Sequence, residues 1–176
     1  MEMNIFLIGF RCSGKTSVGQ KLALQMEKIF IDSDHKIVEN SGKSIAEIVE
    51  DQGWEYFRKL EKMTIKQICR EKSQVVATGG GVVLDAVNVA AMKKNGILIW
   101  LQADAETTRK RMVEDLNTKG QRPALTSKGL LSEIYLSIND RKKYYTNAAN
   151  FIIDTNSRSI NEICNLIYRK TVKSKI

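Results

Sequence analysis

The octapeptide Gly9-Phe10-Arg11-Cys12-Ser13-Gly14-Lys15-Thr16 constrains this chain more than any other segment. It fits the pattern G-x-x-x-x-G-K-[ST], and its flanks are those the pattern requires. Asn4-Ile5-Phe6-Leu7-Ile8 reads as a buried strand before it, and Val18, Leu22 and Met26 recur four residues apart after it, on one helix face. The glycines let backbone N–H groups gather around a phosphate, and the helix start adds its positive dipole end. Lys15 can reach the β- and γ-phosphates, and the Thr16 hydroxyl can sit on Mg²⁺. The segment predicts a nucleoside triphosphate site with a Mg²⁺ ion.

The remaining chain alternates strand and helix patterns, the mark of a parallel sheet covered by helices. Strands are expected at Lys28–Ile31, Gln74–Ala77, Gly96–Leu101 and Phe151–Asp154. Helices are expected over His35–Asn40, Ser44–Asp51, Trp54–Glu71, Ala86–Lys94, Ala105–Leu116 and Leu130–Thr146. A closing helix is marked by Ile160, Ile163, Cys164 and Ile167. Residues 117–125 break the periodicity around the only proline, Pro123, and read as a surface loop long enough to move. The 176 residues suit one domain, 1–176, with a full hydrophobic core.

Charge and cysteine content exclude several classes. The net charge is +8, but the basic residues are dispersed apart from the tail Arg169–Lys175, which reads as a solvated helix end. Aromatic residues make up 7% with no stacking pattern, so an anionic substrate and a polyphosphate explain the basicity better than nucleic acid. No run approaches ~20 apolar residues and no signal peptide is legible, so a cytoplasmic, membrane-free protein is the expectation, with a monomer as the default. Cys12, Cys69 and Cys164 form no C-x-x-C pair, which argues against a disulfide framework or zinc. Cys69 and Cys164 read as core, whereas Cys12 lies close to Lys15 and a helix start, where a thiolate is favoured. His35, the only histidine, reads as a helix-surface residue.

Parallel sheets bind ligands at the carboxyl ends of their strands, where two further clusters fall. Asp32-Ser33-Asp34 follows the second strand. Ser33 or Asp34 could serve as a helix cap; alternatively one carboxylate holds Mg²⁺ and the other receives a hydroxyl proton. Gly79-Gly80-Gly81 follows the third strand and lets backbone approach a ligand. Arg58 and Glu61 share a helix face, so Glu61 could hold Arg58 in one rotamer; a weak surface ion pair is the bland alternative.

These residues together resemble shikimate kinase over essentially the whole chain. The match runs through the phosphate loop, Asp32-x-Asp34, Phe57-Arg58-x-x-Glu61, Gly79-Gly80-Gly81, Arg122-Pro123-Ala124-Leu125 and Arg141-x-x-x-Tyr145. The resemblance implies a three-layer α/β/α phosphate-loop fold with a five-stranded parallel sheet in the order 2-3-1-4-5. It implies a substrate-binding helical region at about 33–61 and a mobile lid at about 117–127. The activity implied is ATP-dependent phosphorylation of the 3-hydroxyl of shikimate, a step towards chorismate and the aromatic amino acids. By the same resemblance Lys15, Asp34 and Arg122 are catalytic, and Thr16 and Asp32 hold the metal. Arg11, Cys12, Ser13, Gly14, Lys15, Thr16, Ser17 and Arg122 meet ATP, with Arg158 a candidate at the base. Asp34, Arg58, Gly79, Gly80, Gly81 and Arg141 meet the substrate. Ala124 departs from the leucine usual after the lid proline. Competing readings are a gluconate or nucleoside monophosphate kinase, and a silent nucleotide-binding relative.

Overall fold

The computed structural model describes residues 3–114 and 130–173. Its centre is β1 (Asn4–Ile8), buried at every position, as expected of a parallel strand covered on both faces. Around it lie β2 (Ile29–Asp32), β3 (Gln74–Ala77), β4 (Gly96–Gln102) and β5 (Phe151–Asp154). The sheet order is β2-β3-β1-β4-β5, every pair parallel, as the resemblance implies. In register, Ile5 faces Val75 on one side and Ile97 on the other.

Alternation along β1 sorts the core into two layers. Ile5 and Leu7 join Val18 and Leu22 of α1 (Lys15–Gln25) and Ile163, Cys164 and Ile167 of α7 (Ile160–Lys173). Phe6 and Ile8 point the other way, towards Ile65 of α3 (Ile45–Ile68), Met92 of α4 (Ala86–Asn95) and Tyr145 of α6 (Leu130–Ala148). Helix α5 spans Ala105–Glu114. A third cluster of Ile37, Ile45, Ile48 and Phe57 joins α2 (Ser33–Ser41) to α3.

The two helices expected on either side of Gly53 are present and adjoin directly at a kink, so they share the label α3. Gly53 has φ 79° and ψ 169°, a non-helical conformation that side-chain-bearing residues resist, and the chain turns there from one helical segment into the next. Upstream, Ser44 and Glu47 form a reciprocal capping box that fixes the start. Downstream, the segment carrying Arg58 and Glu61 runs on to Ile68.

Asn4 is wholly buried at the start of β1, and both ends of its amide are hydrogen-bonded. Its nitrogen donates to the Glu71 carbonyl (2.8 Å), and its oxygen accepts from the Gln74 N–H (3.0 Å). The turn between α3 and β3 is thereby held to the central strand. Of the basic tail, Arg169, Lys170 and Val172 are exposed, as expected of a solvated helix end, and Thr171 turns inward. Thr171 is buried, its hydroxyl donating to the carbonyls of Ile167 and Tyr168.

Candidate active site

Strand ends set the site. The chain leaves β1 at Ile8, makes the phosphate loop, and enters α1 through Gly14, which has φ 92°. Lys15 is buried and its ammonium lies within the loop, donating to the carbonyls of Gly9 (3.0 Å) and Phe10 (2.7 Å), with Ser13 Oγ at 3.5 Å. Thr16 stands one residue on, and its hydroxyl donates to Asp32 Oδ2 at 2.9 Å. The two residues expected at a metal, sixteen apart in sequence, thus meet where α1 begins and β2 ends. A hydroxyl and a carboxylate are hard oxygen donors, the set Mg²⁺ prefers, so these residues fit the ion.

Asp32 also resolves the capping question. The cap of α2 is neither Ser33 nor Asp34 but Asp32, whose Oδ1 accepts from the N–H groups of Asp34 (3.0 Å) and His35 (3.3 Å). One oxygen starts the helix and the other holds Thr16. Ser33 is buried and accepts from the Gly79 N–H at 3.1 Å, tying the aspartate pair to the triple glycine. The local sequence marks Ser33 only as a possible cap, because its partner lies 46 residues away. His35 is on the helix surface beside Glu39, as expected.

Gly79 is required by space. A β-carbon there would lie 2.7 Å from Asp34 Oδ1 and 2.9 Å from Glu61 Oε1, so two carboxylates close on its backbone. Glu61 is 1% exposed, and both its oxygens accept from Arg58 Nη1, at 2.9 and 2.8 Å. The surface-pair reading of Arg58 and Glu61 is therefore wrong. Burial pushes the Glu61 carboxyl above its ordinary value, opposed by the charge and hydrogen bond of Arg58. Arg58 itself is 30% exposed, lies within 5.6 Å of the Trp54 ring centroid and 5.2 Å of that of Phe57, and covers Gly81. A β-carbon on Gly81 would fall on the guanidinium.

Arg141 approaches from α6. Its Nη1 donates to the Gly80 carbonyl at 3.3 Å, and the Tyr145 hydroxyl donates to the same oxygen at 2.5 Å. Gly80 rests against the phosphate loop, where a β-carbon would meet the Arg11 nitrogen and Gly9 oxygen, each at 3.5 Å. The residues expected on the substrate side, Asp34, Arg58, Gly79, Gly80, Gly81 and Arg141, and those expected on the nucleotide side, Arg11 to Thr16, therefore border one another. Ser17 follows on the exposed side of α1.

Arg158 stands exposed after β5. A different cation, Arg111 of α5, reaches the phosphate loop from that side. It donates to the carbonyls of Cys12 (3.4 Å) and Thr155 (2.6 Å) and to Thr155 Oγ1 (3.1 Å). Sequence reasoning missed Arg111 because a basic residue in a basic helix carries no local signal. Arg122 and the segment 117–127 lie outside the described residues. Cys12 is half-buried with φ 57°, Cys164 is buried in the α1/α7 layer, and Cys69 sits half-buried at the end of α3.

The sheet order, the loop cradling a lysine and the carboxylates at the strand ends define a phosphate-loop phosphotransferase of the small-molecule kinase type. The family model described as Shikimate kinase matches residues 11–171. Shikimate kinase 2 of Enterobacter sp. (strain 638) is 42% identical over 154 residues, covering 88% of this chain and 87% of that protein. The shikimate kinase of Caldanaerobacter subterraneus subsp. tengcongensis is 37% identical over 172 residues, 98% of each chain. Among solved structures, a shikimate kinase from Acinetobacter baumannii in complex with shikimate superposes with a TM-score of 0.92 at 29% identity, covering 100% of this chain and 96% of that one. The chain belongs to the shikimate kinase family. Among the described residues, no helix is long and apolar enough to cross a membrane.

Proposed function

We infer that this chain transfers the γ-phosphoryl group of ATP to the 3-hydroxyl of shikimate, giving shikimate 3-phosphate and ADP on the route to chorismate. The observation that carries this reading is the border at Gly80, where a cradle for phosphates abuts a pocket edged by two arginines and two carboxylates. Shikimate is a small carboxylic acid with three hydroxyls. It asks for fixed planar cations at one end and acceptors at the other, and Arg58, Arg141 and Asp34 are residues of that kind.

In this reading Arg58 and Arg141 hold the carboxylate, while backbone from Gly79 to Gly81 closes on the ring. Asp34 orients the attacking hydroxyl and accepts its proton late in the transfer. Lys15 exchanges its bonds to the Gly9 and Phe10 carbonyls for phosphate oxygens, placing its charge on the moving phosphoryl group. Arg11, Cys12, Ser13, Gly14, Thr16 and Ser17 line the triphosphate, and Arg111 is a better candidate than Arg158 for the nucleoside end. Thr16 and Asp32 would hold Mg²⁺, which supplies charge neutralisation on the phosphates. Arg122 adds a second cation from the lid by resemblance. We assign the whole reaction to one cytoplasmic, monomeric kinase domain.

A coupled assay for ADP release with shikimate, gluconate and several nucleoside monophosphates tests the reading. Turnover with shikimate alone is expected. Turnover with gluconate or a nucleotide instead would redirect the substrate assignment, and ATP binding without any turnover would favour a silent relative.

A further inference from the structure

Phe10 occupies a variable position of the phosphate loop, where the nucleotide asks for backbone only. Its ring is nevertheless 5% exposed and carries cations from both halves of the site. The Arg141 guanidinium carbon lies 5.6 Å from the ring centroid, and that of Arg11 lies 5.8 Å away. Both are within the range of a cation–π contact. The main chain beneath the ring is fixed as well, since the Phe10 carbonyl accepts from Lys15 Nζ at 2.7 Å and from the Ser13 N–H at 3.3 Å.

Among the described residues, Arg141 donates to the Gly80 carbonyl at 3.3 Å, which is long for an N–H···O bond, and feels the charge of Glu61, an attraction that does not fix its orientation. The Tyr145 hydroxyl shares that oxygen at 2.5 Å, and its ring stacks on Trp100 with centroids 5.3 Å apart, so the carbonyl itself is firmly placed. A weak bond to a shared acceptor leaves a long side chain considerable rotamer freedom. An aromatic face alongside removes much of that freedom and leaves the outer nitrogens available for a bidentate carboxylate.

We propose that Phe10 is a positioning residue for the acid substrate: from inside the phosphate loop its ring sets the Arg141 guanidinium for the carboxylate. The proposal rests on the reading of Arg141 given above. It predicts that a change in the nucleotide loop alters affinity for the acid while sparing affinity for the nucleotide.

Calorimetric titration of shikimate and of Mg-ADP into the full chain tests this, using wild type, Phe10→Leu, Phe10→Tyr, Arg141→Gln and the double variant Phe10→Leu/Arg141→Gln. Phe10→Leu keeps apolar bulk without a π face, and should weaken shikimate binding about fivefold while Mg-ADP binding stays within about twofold. Phe10→Tyr restores the face and should restore affinity, which also guards against a folding defect in the leucine variant. In the Arg141→Gln background, Phe10→Leu should make no further difference. Unchanged shikimate affinity in Phe10→Leu overturns the proposal, as does an equal loss for both ligands or an effect that persists without Arg141. If Arg141→Gln itself leaves shikimate binding intact, the carboxylate assignment fails first, and this inference fails with it. The two failures are therefore distinguishable.

Discussion

A single nitrogen of Arg58, Nη1, serves both oxygens of the buried Glu61 carboxylate, at 2.9 and 2.8 Å. Committing one nitrogen leaves Nε and Nη2 of the guanidinium as donors that the pair with Glu61 does not consume. Arg58→Ala should raise the KM for shikimate roughly 10- to 100-fold, the value of one or two charge-assisted hydrogen bonds, with the KM for ATP little changed. Steady-state kinetics with each substrate varied separately checks the split. Parallel increases in both would remove Arg58 from the acid pocket.

Glu61 makes the same pair sensitive to pH. Its carboxyl is pushed above the ordinary 4.5 by burial, so on acidification it takes up a proton earlier than an exposed glutamate does. Neutralising it releases Arg58, so shikimate KM should rise as pH falls through a window above 4.5, and Glu61→Gln should flatten that limb. Stability runs the opposite way. A folded-state pKa raised above the unfolded one contributes stability below the unfolded pKa and loses it as pH rises through the folded value. The urea midpoint of wild type relative to Glu61→Gln should therefore fall with rising pH. A difference independent of pH would contradict the burial argument.

Gly81 separates folding from function. Its φ of −104° is open to any residue, so alanine should not strain the backbone, and the stiffer unfolded chain could raise stability by about 0.5 kcal/mol. The new methyl group meets the end of a flexible side chain, Arg58, which must move. Gly81→Ala should fold without backbone strain yet show shikimate KM increased on the order of tenfold, with any loss of stability coming from the disturbed Arg58–Glu61 pair. Normal kinetics would mean that Arg58 works from another rotamer.

Asp32 has two tasks that one substitution can part. Asparagine is as good a helix cap as aspartate, so Asp32→Asn should preserve α2 and thermal stability. The lost charge should raise the Mg²⁺ concentration giving half-maximal activity by about tenfold or more. A magnesium titration at saturating ATP reads this directly, and an unshifted curve would take Asp32 out of the metal site.

Of the three thiols, burial pushes Cys69 up to about 11 and also raises Cys164, leaving Cys12 in the loop as the one expected to react at neutral pH. A maleimide should inactivate the protein, ATP should protect it, and Cys12→Ala should be resistant. Sensitivity retained by Cys12→Ala would exclude this.

Much of the site was legible because the residues that carry it sit at strand ends, where chain order alone brings them to one edge. The phosphate loop, Asp32-x-Asp34 and the three glycines needed no knowledge of packing. Glu61 did. An arginine and a glutamate three apart on a helix look alike whether solvated or buried, and only the close approach of Gly79 distinguishes the cases. Arg111 and Phe10 were opaque for a related reason, since their partners lie 99 and 131 residues away on other elements. The capping role of Asp32 was misplaced by one or two residues because Asp, Ser and Asp are all competent caps.

The pairing of the Asn4 amide at both ends has a mechanical consequence. It fastens the turn that follows the helix bearing Arg58 to the root of the strand bearing the phosphate loop. The helix that carries Arg58 and the strand that leads into the loop thus pivot on one shared pin, and loosening it by Asn4→Ala should speed hydrogen exchange at the Gln74 amide.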